Sequence, residues 1–221
     1  MGLDRCYCPG FAIDAACHLD GDEARHLARV RRVAVGAEVV ALGRDRVDLR
    51  PARAVPPRPP GRVMLTLATA IPKGNRFDWL VEKATELGVE RLTPLVTERS
   101  TVDPRSAKLD RLRRAIVESC KQCRRDRLMA LDEPIRWDRW LAQLDPLDDH
   151  RWVAHPGGTP PELAPSIGRG GRVVAAVGPE GGFTDAELDL ARRAGFERVD
   201  LTPTILRIET AGVALAARLL L

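Results

Sequence analysis

Val173-Val174-Ala175-Ala176-Val177 runs directly into Gly178-Pro179-Glu180-Gly181-Gly182-Phe183, and Leu201-Thr202-Pro203-Thr204-Ile205-Leu206-Arg207-Ile208-Glu209-Thr210-Ala211 follows shortly after. Five successive apolar residues without polar alternation predict a central strand, from Arg172 to Val177, buried on both faces. The glycine-rich segment is then the loop leaving the carboxyl end of that strand. A final strand, Val199 to Leu201, feeds the second loop, and a strongly apolar helix follows from Glu209 to Leu220. Ligands of open α/β sheets bind outside the carboxyl ends of strands, so two such loops close in sequence predict one shared pocket.

Outward from this region, strands alternate with helices, which predicts an α/β fold with a mostly parallel sheet. Val63 to Ala70 reads as a strand. Asn75 opens a helix to Leu87 whose Phe77, Leu80, Val81, Ala84 and Leu87 recur at helical spacing, with Gly88 as a left-handed terminator. Arg91 to Val96 is a strand, Ser106 to Arg125 a long basic helix, Trp137 to Leu144 a short helix and Arg151 to Ala154 a strand preceding His155-Pro156-Gly157-Gly158. Thr184-Asp185-Ala186-Glu187 has the spacing of a capping box, predicting a helix from Asp185 to about Ala194 closed by Gly195. Pro56-Pro57-Arg58-Pro59-Pro60-Gly61 can continue neither a helix nor a central strand, and so divides residues 1–61 from 62–221. Before it, Ala37 to Leu42 and Arg46 to Val55 read as strands around a turn at Gly43-Arg44-Asp45, and Asp22 to Arg31 as a helix. Together they predict a small β-rich domain.

Of the 221 residues, 44% are hydrophobic and 30% charged, which is the composition of an ordinary globular protein rather than a disordered one. No apolar run approaches the roughly 18 residues of a membrane span. Met1 to Gly10 carry Asp4, Arg5 and Pro9 in place of an apolar secretory core, so a cytoplasmic location is expected. Five cysteines is an odd number for a disulfide framework, and Cys6, Cys8 and Cys17 sit far in sequence from Cys120 and Cys123. Cys120-Lys121-Gln122-Cys123 has the spacing of a redox or zinc pair but falls inside a helical pattern; reduced cysteines and no metal are expected.

The net charge of +4 is unevenly spread: residues 105–127 carry +6, against +2 before them and −4 after. A basic helix is the footprint of a phosphate-backbone partner, or the solvated face of an arginine-rich protein. Gly-x-Gly-x-x-Gly is absent as a strand-to-helix turn, as is Gly-x-x-x-x-Gly-Lys-Ser/Thr, and Gly168-Arg169-Gly170-Gly171 precedes a strand instead of following one. Ordinary Rossmann and P-loop binding are thereby disfavoured. In the first loop the glycines allow close backbone approach to a flat ligand, or serve turn geometry alone. In the second, Ile205 and Leu206 offer apolar walls to an adenine ring. Arg207 can bind a phosphate or polarise a base oxygen, or else form an ion pair with Glu209 at the helix start.

Taken together, Val-Gly-Pro-Glu-Gly-Gly-Phe and Leu-x-Pro-x-Ile-Leu-Arg-x-Glu-Thr-Ala closely resemble the RsmE family of ribosomal RNA uridine N3-methyltransferases, within the knotted SPOUT superfamily. Lys73-Gly74, Glu82 to Val89, Thr93-Pro94, Thr97-Glu98-Arg99-Ser100 and Gln122 resemble further family blocks, as do Arg25-His26-Leu27, Val30 and Arg32. Cys123-Arg124 stands where the family usually has serine and glycine, Thr204 where it has arginine, and Ile208 where it has threonine.

The resemblance implies a PUA-like β-barrel over residues 1–61, followed by a SPOUT domain over 62–221 whose C-terminal segment threads a trefoil knot. It implies S-adenosylmethionine as cofactor, a homodimer, and small-subunit (16S) rRNA or the assembled small ribosomal subunit as partner. Arg207 and Glu209 become the candidate catalytic residues. Gly178, Glu180, Gly181, Gly182, Leu201, Ile205, Leu206, Arg207 and Thr210, with His155, become the candidate cofactor contacts. Arg25, Arg32, Lys73, Arg76, Arg99, Lys121, Arg124 and Arg125 become the candidate RNA contacts. The same resemblance leaves room for another SPOUT RNA methyltransferase, acting on a ribose hydroxyl or a different base, or for a non-catalytic RNA-binding assembly factor.

Overall fold

A strand that is apolar at every position must be covered on both sides, and Val173 to Val177 are all buried. The computed structural model describes residues 7–8, 17–21, 24, 39–41, 46–49, 63–102, 106–125, 127–148, 150–159, 167 and 170–221. They divide into two compact units, Met1–Arg58 and Pro59–Leu221.

The first unit contains β1 (Cys17–Asp20), β2 (Val39–Ala41) and β3 (Arg46–Leu49), paired antiparallel in the order β1-β3-β2. Of the barrel expected there, these are the strands among the described residues. Most of the expected Asp22 to Arg31 helix lies outside them, as do Arg25 and Arg32. Cys8 is disulfide-bonded, which corrects the expectation of reduced cysteines at that position, whereas Cys120 and Cys123 are free.

The second unit runs β4 (Val63–Ala70), α1 (Arg76–Leu87), β5 (Arg91–Val96), α2 (Ser106–Cys123), β6 (Ala130–Leu131), β7 (Ile135–Arg136), α3 (Trp137–Leu141), β8 (His150–Thr159), β9 (Gly171–Val177), α4 (Asp185–Arg193), β10 (Glu197–Val199) and α5 (Ile208–Leu220). Every pairing in its sheet is parallel, in the order β10-β8-β9-β4-β5-β6, with β7 also on β5. The alternating pattern thus gives the parallel, helix-flanked sheet it predicts, with β9 near its middle between β4 and β8.

Two cores explain the composition of β9, because successive strand residues point to opposite faces. Val173, Ala175 and Val177 join Phe77, Leu80 and Ala84 of α1, Leu112 and Ile116 of α2 and Leu215 of α5 in one buried cluster. Val174 and Ala176 join Trp137 and Trp140 of α3, Leu188 and Ala191 of α4, and Phe183 and Phe196 in the other. The Trp137 indole N–H, which burial would otherwise strand, donates to the Glu187 carbonyl at 3.0 Å.

Several ends fall where the sequence places them. Gly88 ends α1 in the left-handed region (φ 98°), and Thr184 and Glu187 form the full capping box of α4. At the end of α2, Arg124 has φ 61°, and the Arg125 amide reaches back to the Cys120 carbonyl at 3.0 Å, a left-handed helix cap. A side chain in that conformation costs roughly 1 kcal/mol relative to glycine. Arg124→Gly is therefore expected to stabilise the protein by about 1 kcal/mol, read as a rise of about 2–4 °C in thermal unfolding; a lower midpoint would show that the arginine side chain contributes more than its backbone costs.

Two expectations shift. β8 extends to Thr159, so His155-Pro156-Gly157-Gly158 belongs to the strand instead of a loop after it. The reason is a register break: Arg198 pairs with Val153, whereas Val199 pairs with Thr159, and the intervening residues of β8 bulge. Gly158 sits at the closest approach, where an added Cβ would lie 2.8 Å from the Arg198 carbonyl carbon and oxygen. β10 correspondingly starts two residues earlier than predicted, at Glu197.

Candidate functional site

Three chain segments leave neighbouring strands at one edge of the sheet: the end of β8, residues 178–183 after β9, and residues 200–207 between β10 and α5. Between them lies a cavity of about 500 Å³, within the usual range for a small-molecule site. Its apolar wall includes Val177, Leu201, Ile205, Leu206, Ile208 and Ala211, and its polar wall is largely the glycine-rich backbone, with Glu180, Asp200, Arg99 and Arg207.

Each wall is fastened to the scaffold by a polar side chain acting on backbone. Asp200 accepts the Gly157 amide at 3.0 Å on one carboxylate oxygen and the Thr202 amide at 3.3 Å on the other, tying the β8 bulge to the second loop. The Arg99 guanidinium donates to the Gly181 carbonyl at 2.7 Å. Glu187 accepts the Thr184 amide at 2.8 Å and the Glu98 amide at 2.9 Å. The Gly182 amide closes a turn on the Pro179 carbonyl at 2.8 Å. Asp200 and Glu187 carried no site signal in the sequence: acceptance of a distant N–H leaves no spacing to read, and Glu187 is visible there only as the second half of a capping box.

The predicted cofactor contacts His155, Gly178, Glu180, Gly181, Gly182, Leu201, Ile205, Leu206 and Arg207 all line this cavity. Thr210 is exposed on α5 and is not among the lining residues. The His155 Nδ1 lies 2.7 Å from the Pro156 carbonyl. Ile205 is 91% exposed, a bare apolar lip at the mouth.

Arg207 and Glu209 part company. Arg207 is the residue preceding the first turn of α5, in extended conformation (φ −69°, ψ 158°), exposed, and without a side-chain partner among the described residues. A cation there meets the positive end of the helix dipole, a disfavoured placement by about 0.3–1 kcal/mol. Structure alone gives no reason for it. Glu209 is buried and not a lining residue; one carboxylate oxygen lies 3.8 Å from Arg76 Nε, and the other has no hydrogen-bond partner. Of the two readings of Arg207, the ion pair with Glu209 is not formed, and Arg207 is a lining residue of the cavity.

Part of the charge of the basic segment is met where it lies. Arg111 pairs with Asp78, Arg113 with Glu133, Lys121 with Glu118 and Arg125 with Glu90. Among the expected RNA contacts, Arg76, Arg99, Lys121 and Arg125 thus already hold intramolecular partners, while Lys73 and Arg124 make no side-chain bond among the described residues. Burial pushes the Cys120 thiol up, so it is a thiol and not a thiolate at neutral pH. No cluster of metal-ligating side chains occurs among the described residues, and no described helix is long and apolar enough to cross a membrane.

The geometry agrees with what the chain is similar to. A family profile for an RNA methyltransferase domain matches residues 59–220. A ribosomal RNA small subunit methyltransferase E from Mycobacterium bovis is 32% identical over 229 aligned positions, covering 92% of this chain and 86% of that protein. The protein of the same name from Synechocystis sp. is 35% identical over 156 positions, covering 69% of this chain. The match spans about half (52%) of that relative and 62% of the one from Aquifex aeolicus. The crystal structure of a ribosomal RNA small subunit methyltransferase E from Neisseria gonorrhoeae, bound to S-adenosyl methionine, superposes with a TM-score of 0.81 at 25% identity, covering 96% of this chain and 93% of that one. A parallel sheet with β9 near its centre, a loop-walled cavity at the carboxyl ends of its strands and a likeness at 32% identity over 92% of this chain lead to one conclusion: the chain belongs to the RsmE family, the ribosomal RNA small subunit methyltransferase E proteins.

Proposed function

We propose that the protein transfers the methyl group of S-adenosylmethionine to N3 of a uridine in small-subunit (16S) rRNA. The observation that carries this reading is Arg207, a lining residue of a loop-walled cavity, set against its own helix dipole and without a side-chain partner among the described residues.

The residues present fit the donor. Leu201, Ile205 and Leu206 provide an apolar slot for an adenine ring, the backbone of Gly178 to Gly182 allows close approach and hydrogen bonding, and Glu180 places a carboxylate without a partner among the described residues on the wall. Bound there, S-adenosylmethionine supplies an electrophilic methyl group on a sulfonium, already activated for transfer. The protein has then to align the acceptor and favour its reactive form. Uridine N3 must lose its proton before it attacks, and a guanidinium beside O2 or O4 stabilises the resulting anion. Arg207 takes that role. Glu209, turned toward Arg76 at the base of α5, positions the first turn of the helix that Arg207 precedes.

The reading includes a PUA-like barrel over residues 1–61, a SPOUT domain over 62–221 with the C-terminal segment threaded as a trefoil knot, a homodimer and a cytoplasmic location. The boundary is supported by the family match beginning at residue 59. Val213, Leu220 and Leu221, only partly buried or exposed on an apolar helix, support the dimer. RNA is held by charge and shape through Lys73, Arg124 and Arg25 and Arg32, with the basic helix adding what its internal pairs leave over.

The test is incubation of the purified protein with radiolabelled methyl donor and undermethylated small subunits, followed by mapping of the label. One methyl group on a uridine base is expected. Label on a ribose hydroxyl would move the protein to another class of RNA methyltransferase, and RNA binding without donor uptake would make it an assembly factor.

A further inference from the structure

The turn Thr97-Glu98-Arg99-Ser100 lies far in sequence from the glycine loop and is tied to it directly through Arg99 and indirectly through Glu187 of α4. The turn is closed on itself: the Ser100 amide donates to the Thr97 carbonyl at 3.1 Å, and the Thr97 amide donates to Ser100 Oγ at 2.9 Å. Its two middle residues face the loop. The Glu98 amide donates to Glu187, whose other carboxylate oxygen accepts from Thr184 directly after the loop. Arg99 donates to the Gly181 carbonyl, and its stem fills the space beside Gly181, where an added Cβ would lie 3.3 Å from Arg99 Cδ.

We propose that Arg99 and Glu187 are positioning residues that clamp residues 178–184 to the 97–100 turn and so set the shape of the methyl-donor pocket. The inference rests on the proposed function for its ligand, but the clamp itself is independent of it. Three observations point to a clamp rather than to a cation waiting for a phosphate. Arg99 spends its hydrogen bond on a backbone carbonyl of the cavity wall. Gly181 leaves room for the arginine stem. Glu187, with only 7% of its surface exposed, grips the residue before Arg99 and the residue after the loop with one carboxylate. Charge-assisted hydrogen bonds to backbone are among the stronger polar contacts available to a loop. Two of them, one at the middle of the segment and one at its C-terminal end, hold it in one conformation before ligand arrives, which lowers the ordering cost of binding.

The experiment uses the full chain with S-adenosylhomocysteine as probe, in the absence of RNA, and amide hydrogen exchange over residues 178–184. Arg99→Ala is expected to weaken binding about tenfold, which corresponds to about 1.4 kcal/mol, and to speed exchange at Gly182 and Phe183. Arg99→Lys, which keeps a donor on a flexible stem, should recover part of the affinity, and Glu187→Gln, which loses one of the two acceptor contacts while keeping the side chain's size, should speed exchange in the same segment. The salt dependence of RNA binding should be unchanged in Arg99→Ala. Wild-type affinity and wild-type exchange in Arg99→Ala, with a salt slope reduced by about one, would make Arg99 a phosphate contact and overturn the proposal. Failure of the wild-type protein to bind the probe would sink the functional reading instead, and the exchange data would still decide whether the clamp exists.

Discussion

Arg207→Ala is expected to lower the rate of methyl transfer by about 10²- to 10³-fold and to leave the melting temperature unchanged or slightly raised. The magnitude is that of removing one preorganised donor from a developing anion. The absence of a stability cost follows from the surroundings: the guanidinium is exposed, bonds to no described residue and opposes the dipole of α5. S-adenosylhomocysteine affinity should change much less than turnover, because the cavity keeps its apolar and glycine walls. Steady-state rates with small subunits, set beside calorimetric titration of the probe, separate the two. A variant that loses donor binding in proportion to activity would reassign Arg207 from the acceptor to the donor.

The largest structural effect belongs to Gly158→Ala. Its new Cβ would stand 2.8 Å from the carbonyl carbon and oxygen of Arg198 and 2.9 Å from the carbonyl carbon of Val199. These are backbone atoms of β10, so the clash is relieved only by moving one strand away from the other. A destabilisation of about 3 kcal/mol or more is expected, at the upper end of overpacking costs, or a fall of about 6–12 °C in the unfolding midpoint. Gly157→Ala is the control: its φ of 76° strains any side chain, but nothing lies within 4 Å of the added atom. That variant should lose only about 1–2 kcal/mol. Equal midpoints for the two variants would show that backbone conformation, and not the strand contact, governs this corner.

Much of the second unit is legible in the sequence because its signals are local. The capping box at Thr184, the left-handed Gly88 and the helical spacing of Phe77, Leu80 and Ala84 each act within a few residues, and each is found in place. The unbroken apolar run of β9 reads as burial on both faces, and both faces are covered. The cavity was legible as two loops at strand ends. What escaped is non-local or very short. β6 and β7 have two residues each and carry no period. The bulge in β8 arises from its meeting with β10, about forty residues on. Nor could the divergence of Arg207 and Glu209 be foreseen: the sequence offers them as an ion pair at a helix start, whereas Glu209 lies toward Arg76. The pairing of Glu209 with Arg76 depends on α1 lying against α5, a fact of tertiary packing.

Glu187 reaches across to the backbone N–H of residue 98 and makes no bond to its exposed side chain. That bond is thus indifferent to the side chain at 98, provided it is not proline, which lacks the N–H. Position 187 enjoys no such latitude, since one carboxylate answers to two separate stretches of chain. Tolerance and constraint therefore sit on opposite ends of a single bond, and a saturation screen of both codons should return a permissive profile at one and a nearly blank one at the other.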